Sequence, residues 1–308
     1  MSELLDELRA AVVDRYQVVS EVGQGGMGSV YLALERHPRR KVVIKVPELF
    51  FRPRVRQRFV REVTLAGMLN HPNIVPVLAA GEAGEFPYYV MPHFEGESLR
   101  QRLDRGPALT PAEVLHITRD VADALAYAHA KGIVHRDIKP ANILLSEGHA
   151  VVTDFGIAQA CHTCGVEEFG PAGSAIGTPA YMSPEQARGR GAVDARSDVY
   201  SLALVVYEML AGALPRAHAA VSKRASQSTK INGRRTSERI PAAVAPVLAM
   251  ALAEEPTERF PTAAAFGAAL AVALPGQGSL ARRPVAALWM ILVATAAVAA
   301  ALAFLLGR

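Results

Sequence analysis

Two alternating runs near the N-terminus frame a cluster of glycines. Val18, Ser20 and Val22 alternate with Gln17, Val19 and Glu21 before it, and Val30, Leu32 and Leu34 alternate with Tyr31, Ala33 and Glu35 after it. Period two on both sides predicts strand, turn, strand. KVVIKV at 41–46 is rich in β-branched residues and predicts a third strand. Helical spacing appears in two other places. Leu4, Leu5, Leu8, Ala11 and Val12 share one face, which predicts a short amphipathic helix within 1–15 docking on the main domain. Phe59, Val63, Ala66 and Leu69 form a second such face. Residues 285–306 contain no charged side chain at all. As a helix they span about 33 Å, enough for the hydrocarbon core of a bilayer. We expect a transmembrane helix there, and Arg282 and Arg283 on its N-terminal flank place the preceding bulk in the cytoplasm. A buried C-terminal helix is the alternative. LPGQGSLARRP at 274–284 reads as a flexible connection.

Composition narrows the class. The chain has 308 residues, of which 51% are apolar, so a sizeable core is available. A net charge of +4 and 6% aromatics, with no basic–aromatic interleaving, give no platform for nucleic acid. Two cysteines cannot build a disulfide framework and fit a reducing compartment. The N-terminus carries Glu3, Asp6 and Glu7 and does not read as a signal peptide.

Gly23, Gly25 and Gly28 form a G-x-G-x-x-G pattern. A dinucleotide fingerprint would need a helix after the glycines, and the flanks predict a strand instead. A glycine hairpin between strands suits a lid over phosphates, because backbone without Cβ atoms can approach the oxygens. Lys45 stands inside the apolar third strand, where its ammonium needs partners. Phosphate and Glu62 are both candidates, and a lysine snorkelling from a sheet edge is the plainer reading.

GIVHRDIKPANILL at 132–145 changes the weighing. Together with the glycine pattern, VIK, a helical glutamate, DFG at 154–156, GTPAYMSPE at 177–185, SDVYSLA at 197–203 and the late Arg259, it forms an ordered set. From about Tyr16 to Leu274 the chain resembles the eukaryotic-like Ser/Thr protein kinases of bacteria and is similar to the cytoplasmic domain of the PASTA receptor kinases. The resemblance implies an α+β bilobal fold: a small antiparallel-sheet lobe with one long helix over 16–94 and a larger, mainly helical lobe over 95–274. The linker 275–284 and the membrane helix 285–306 complete the expected organisation.

The same resemblance implies the roles. Val22, Gly23, Gly25, Gly28 and Val30 enclose ATP. Lys45 binds its α- and β-phosphates and pairs with Glu62. Met91 stands beside adenine, Pro92 offers a carbonyl, and Phe94 offers backbone contacts. Asp154 and Asn142 hold Mg2+ (or Mn2+). Asp137 accepts the proton of the substrate hydroxyl, and Lys139 touches the γ-phosphate. Lys139 with Thr178 is the Ser/Thr pattern, so the substrates are protein Ser and Thr hydroxyls. His135 and Phe155 are packing residues. Arg136 implies an activation loop held by phosphate, with Ser174 the first candidate acceptor and Thr163 and Thr178 the others. Glu185 and Arg259 should form a buried pair, and Asp198 should hold the catalytic-loop backbone. Activation in trans implies a homodimer.

Departures from the pattern remain. Residues 216–240 are basic, carrying Arg216, Lys223, Arg224, Lys230, Arg234, Arg235 and Arg239 against Glu238, and 52–61 is similarly basic. The first reads as a solvated loop with a frayed helix or as a docking or membrane-surface element, and both stretches suit anionic lipid headgroups. Only Gly307 and Arg308 follow the apolar run, so input is expected from the cytoplasm, the span or a separate membrane protein. Cys161 and Cys164 flank His162 and Thr163 in the activation loop and read as bystanders or as a redox pair. The expected function is a membrane-anchored Ser/Thr protein kinase that autophosphorylates. The alternatives are a pseudokinase scaffold that binds nucleotide and a partner, and a small-molecule kinase, against which GTPAYMSPE speaks.

Overall fold

The runs on both sides of the glycines form strands. In the computed structural model, which describes residues 2–25, 28–47, 59–61, 63–64, 66–84, 86–155, 179–189, 193–215 and 240–274, β1 (Tyr16–Gly25) pairs antiparallel with β2 (Gly28–Glu35). β3 (Arg40–Val46) continues the sheet, and β4 (Ala79–Ala83) and β5 (Phe86–Pro92) close it in the order β1-β2-β3-β5-β4. Gly28 has a φ of +122°, and a Cβ there would lie 2.0 Å from the Val46 carbonyl oxygen. Only glycine lets the start of β2 approach the end of β3 that closely.

One face of β2 and β3 is buried as Tyr31, Ala33, Val42, Ile44 and Val46. Helix α1 (Ser2–Val12) covers this face with Leu8 and Val12, which are buried in the same cluster. The docked face is narrower than the spacing suggests: Ala11 is exposed, because only the longer side chains reach the sheet. Glu35 lies on the buried side too, and its carboxylate is compensated by Arg15 and Arg40. The other face packs Tyr89 and Met91 against Phe59 and Val63, which lie in a helical stretch, and against Val75 and Val151.

The larger lobe is helical. Helix α2 (Leu99–Arg105) and helix α3 (Pro111–Ala130) both begin with a capping box, Ser98 with Gln101 and Thr110 with Glu113. Helix α3 buries Val114, Ile117, Val121, Leu125 and Ala128 along one stripe. Helix α4 (Pro184–Arg188), helix α5 (Ala195–Ala211), helix α6 (Ala245–Ala251) and helix α7 (Ala263–Ala273) follow. Nearly every side chain of α5 is buried, which explains its lack of a polar face. A second sheet joins β6 (Glu97–Ser98), β7 (Ile143–Ser146) and β8 (His149–Val152) in that order. Hydrogen bonds from Val75 N to Val152 O (2.9 Å) and from Val152 N to Asn73 O (2.8 Å) tie this sheet to the segment before β4. Among the described residues no helix is long and apolar enough to cross a membrane; 285–306 lies outside them.

Candidate active site

Antiparallel register decides what faces the cleft. Lys45 on β3 sits opposite Val30 on β2 and opposite Tyr89 on β5, so these three side chains share one face. Lys45 Nζ donates to both carboxylate oxygens of Asp154, at 2.8 and 2.7 Å. The Tyr89 hydroxyl donates to the same carboxylate at 3.1 Å. Glu62, the partner expected from sequence, lies outside the described residues, and the partner found for Lys45 is Asp154. Burial pushes the Asp154 carboxyl up, but the Lys45 ammonium, its hydrogen bonds, the Tyr89 hydroxyl and His135 outweigh it and hold the group below the ordinary carboxylate value.

The loop between α3 and β7 carries a second set of groups. Asp137 accepts from Lys139 Nζ at 2.8 Å and from Asn142 Nδ2 at 2.9 Å. Asn142 Nδ2 also donates to the Asp137 carbonyl, at 2.9 Å. Both amide hydrogens are thereby used, so Oδ1 is the Asn142 atom able to serve a cation. Asn142 O accepts from Thr153 N at 3.0 Å, which sets this loop against the residue before Asp154.

What fixes the loop is Asp198, fully buried on α5. Its Oδ2 accepts from His135 N at 2.8 Å and pairs with His129 Nε2 at 2.7 Å; its Oδ1 accepts from Arg136 N at 2.8 Å. Arg136 and Asp154 both have φ of +67°, a conformation that costs about 1–3 kcal/mol in a residue with a side chain. For Arg136 that cost is met by bonds on both sides, since its carbonyl also accepts from Gln186 Nε2 at 2.8 Å. His135 is buried. Its Nδ1 accepts from Asp137 N at 3.2 Å, so the proton belongs on Nε2, which donates to Thr153 O at 3.0 Å. Its ring meets Phe155 edge-on at 4.6 Å, so both are packing residues as expected.

Below the cleft, Glu185 and Arg259 form a buried, two-pronged pair at 2.7 and 2.8 Å. Burial pushes the Glu185 carboxyl up, but Arg259, Ser197, its own backbone and Ser183 bring it down to about 2. Tyr181 donates to Glu208, which also binds Arg100 at 2.8 Å. Burial first, and then Glu208, push the Tyr181 phenol up.

Of the other residues singled out by sequence, Gly23 and Gly25 end β1, and Val22 beside them is 55% exposed, as a lid requires. Met91 is buried and receives the Thr153 hydroxyl at 3.5 Å through its sulfur. Pro92 closes β5, and Phe94, just past it, packs on the cluster around Met91. Cys161, Thr163, Cys164, Ser174, Thr178 and the basic segment 216–239 lie outside the described residues. Two contributors escape a reading by motif: Tyr89 and His129. Tyr89 lies two residues before Met91 on one strand, so period two alone places both on the cleft face.

Residues 16–267 match the family described as "Protein kinase domain". Serine/threonine-protein kinase PknB of Mycolicibacterium smegmatis is 40% identical over 274 residues, covering 86% of this chain and 44% of that protein. Serine/threonine-protein kinase PrkC of Bacillus subtilis is 36% identical over 255 residues, covering 81% of this chain and 39% of that protein. The chain thus spans less than half the length of these relatives. Among solved structures, the Mycobacterium tuberculosis PknI kinase domain superposes with a TM-score of 0.67 at 30% identity, over 84% of this chain and 95% of that one.

Proposed function

Because this chain belongs to the protein kinase family, among the bacterial Ser/Thr kinases, we propose that it transfers the γ-phosphoryl group of ATP to Ser and Thr hydroxyls of proteins. The observation that carries this is the bonded set Asp137, Lys139 and Asn142, set by the Asn142–Thr153 bond beside an Asp154 that already holds Lys45.

Phosphoryl transfer asks for charge neutralisation and in-line placement more than for covalent chemistry. Asp137 is placed to accept the proton of the attacking hydroxyl. Lys139, bonded to Asp137, steadies the transferring group. Asp154 and Asn142 Oδ1 are hard oxygen donors, the set that suits Mg2+ (or Mn2+). When bound, that ion neutralises phosphate charge. The Asp154 carboxylate keeps lone-pair capacity beyond its bonds to Lys45 and Tyr89, so it would hold the ion together with Asn142 Oδ1, while Lys45 would meet the α- and β-phosphates. The glycine hairpin from Val22 to Val30 closes over them, and Met91, Pro92 and Phe94 border the adenine.

The reading extends to regulation and place. Arg136 is the residue assigned to a phosphate on the activation loop, with Ser174 the first candidate and Thr163 and Thr178 the others, reached in trans within a homodimer. Residues 285–306 anchor the chain in the cell membrane, 275–284 link the anchor to the catalytic domain, and that domain faces the cytoplasm. The basic stretches 52–61 and 216–240 then face anionic headgroups. Cys161 and Cys164 are readable as a redox pair, tested by comparing parent and Cys161→Ser activity across a thiol–disulfide series. A flat profile in both would leave them bystanders.

The test of the main reading is mass spectrometry of the full chain after incubation with ATP and Mg2+. Phosphate on Ser174 or its neighbours supports it. Nucleotide binding with no phosphorylated residue, on itself or on a generic protein substrate, favours a scaffold.

A further inference from the structure

Away from the cleft, α3 and the β7–β8 hairpin bring His116, Asp120 and His149 together. His116 and Asp120 stand four apart on α3, so one helical face carries both. His149 opens β8. His116 Nε2 and His149 Nδ1 lie 3.5 and 3.6 Å from the same oxygen, Asp120 Oδ2, and all three ligand atoms fall within 4.8 Å of one another. Zinc bonds of about 2.0–2.1 Å in tetrahedral array set neighbouring ligand atoms about 3.4 Å apart. Two edges of the triangle already have nearly that length.

The burial pattern also suits an ion. Asp120 is buried and fixed, its Oδ2 accepting from Ala150 N at 2.9 Å. The imidazoles are 44% and 39% exposed, which leaves a path for entry. His116 Nε2 also lies 2.6 Å from Gly148 O, where it donates. Metal uptake therefore moves a proton from that nitrogen and exchanges the Gly148 contact for a metal bond. An ordinary helical ion pair would need only His116 and Asp120; the second imidazole converging on the same oxygen is what an ion would require.

We propose that His116, Asp120 and His149 form a binding site for a zinc-class divalent transition metal, with water in the fourth position. Two imidazoles and one carboxylate suit such an ion and do not suit Mg2+, which prefers oxygen ligands. The site is thus chemically separate from Asp154 and Asn142. Strand β8 leads through Thr153 directly to Asp154, so an ion here would fasten helix α3 to the strand that carries that carboxylate.

The chain's own competitor for zinc is the segment Cys161, His162, Cys164. The experiment is therefore a Zn2+ titration of the full chain, untagged and free of nucleotide, in a Cys161→Ser, Cys164→Ser background. The expected result is one saturable equivalent that raises the melting temperature, weakened about tenfold or more by His116→Ala or His149→Ala. Mg2+ at the same concentration should not compete. Co2+ added to the same cysteine-free background should give the visible d–d bands of a tetrahedral nitrogen–oxygen site, and this readout needs no histidine variant to fold. Binding that survives in the double histidine variant, binding lost in the cysteine-free background, or no saturable binding by the parent would each overturn the proposal.

Discussion

Asp154 is held by two side chains from the sheet, Lys45 and Tyr89, which are cross-strand neighbours. The hydroxyl of Tyr89 orients the carboxylate that the proposed function needs for a cation. Replacing Tyr89 with Phe removes one hydrogen bond, about 1 kcal/mol, and should lower kcat/KM for ATP about fivefold. Steady-state kinetics checks this, and a cooperative melting transition within about 4 °C of the parent's separates it from a folding defect. Lys45, Asp137, Asn142 and Asp154 were legible in the sequence because each sits at fixed spacing within a short signature. Tyr89 was not, because its partner Asp154 lies far along the chain, outside the sheet that carries Tyr89, and no short signature joins them. For the same reason sequence could name two candidate partners for Lys45 but could not see that Asp154 is a third. The trio His116, Asp120 and His149 was equally hidden, since a hairpin brings the third ligand to the helix.

At the scale of elements, α5 and α4 act as the frame of the site. Asp198 on α5 accepts two backbone N–H groups of the catalytic loop and pairs with His129. Asp198→Asn keeps the shape but turns an amide NH2 toward one of these donors. The variant should lose about 1–3 kcal/mol of stability per donor left unpaired, together with most activity, as denaturant unfolding and a transfer assay would show. The Glu185–Arg259 pair ties α4 to the segment before α7. Glu185 ordinarily titrates near 4.5 and is lowered to about 2 in the folded protein. Its contribution to stability is therefore complete above pH 4.5 and is lost as pH falls toward 2. Glu185→Gln should be less stable at neutral pH and show a shallower acid loss in that window, measured by chemical denaturation at stepped pH. The strands around the glycines were readable from periodicity alone, whereas the apolar helix at 197–210 followed from the family signature it carries. The narrowness of the α1 contact was not, because helical spacing gives a face but not how far a short side chain such as Ala11 reaches.

For the whole molecule, the account joins a protein kinase domain to a proposed membrane anchor. The uncharged run 285–306 should carry the full chain into the membrane fraction, whereas a chain ending at Pro275 should stay in solution. Fractionation without detergent checks this, and a soluble full chain would remove the anchor from the account. The central claim is phosphoryl transfer with Asp137 as the group that takes the hydroxyl proton. Its most direct measurement is incorporation of labelled phosphate from ATP by the full chain, comparing the parent with Asp137→Asn while nucleotide binding is followed in parallel. The account predicts labelled Ser and Thr in the parent, at least about a hundredfold less in the variant, and similar nucleotide affinity in both. Equal labelling of the two proteins, or none in a parent that binds ATP and Mg2+, would contradict it.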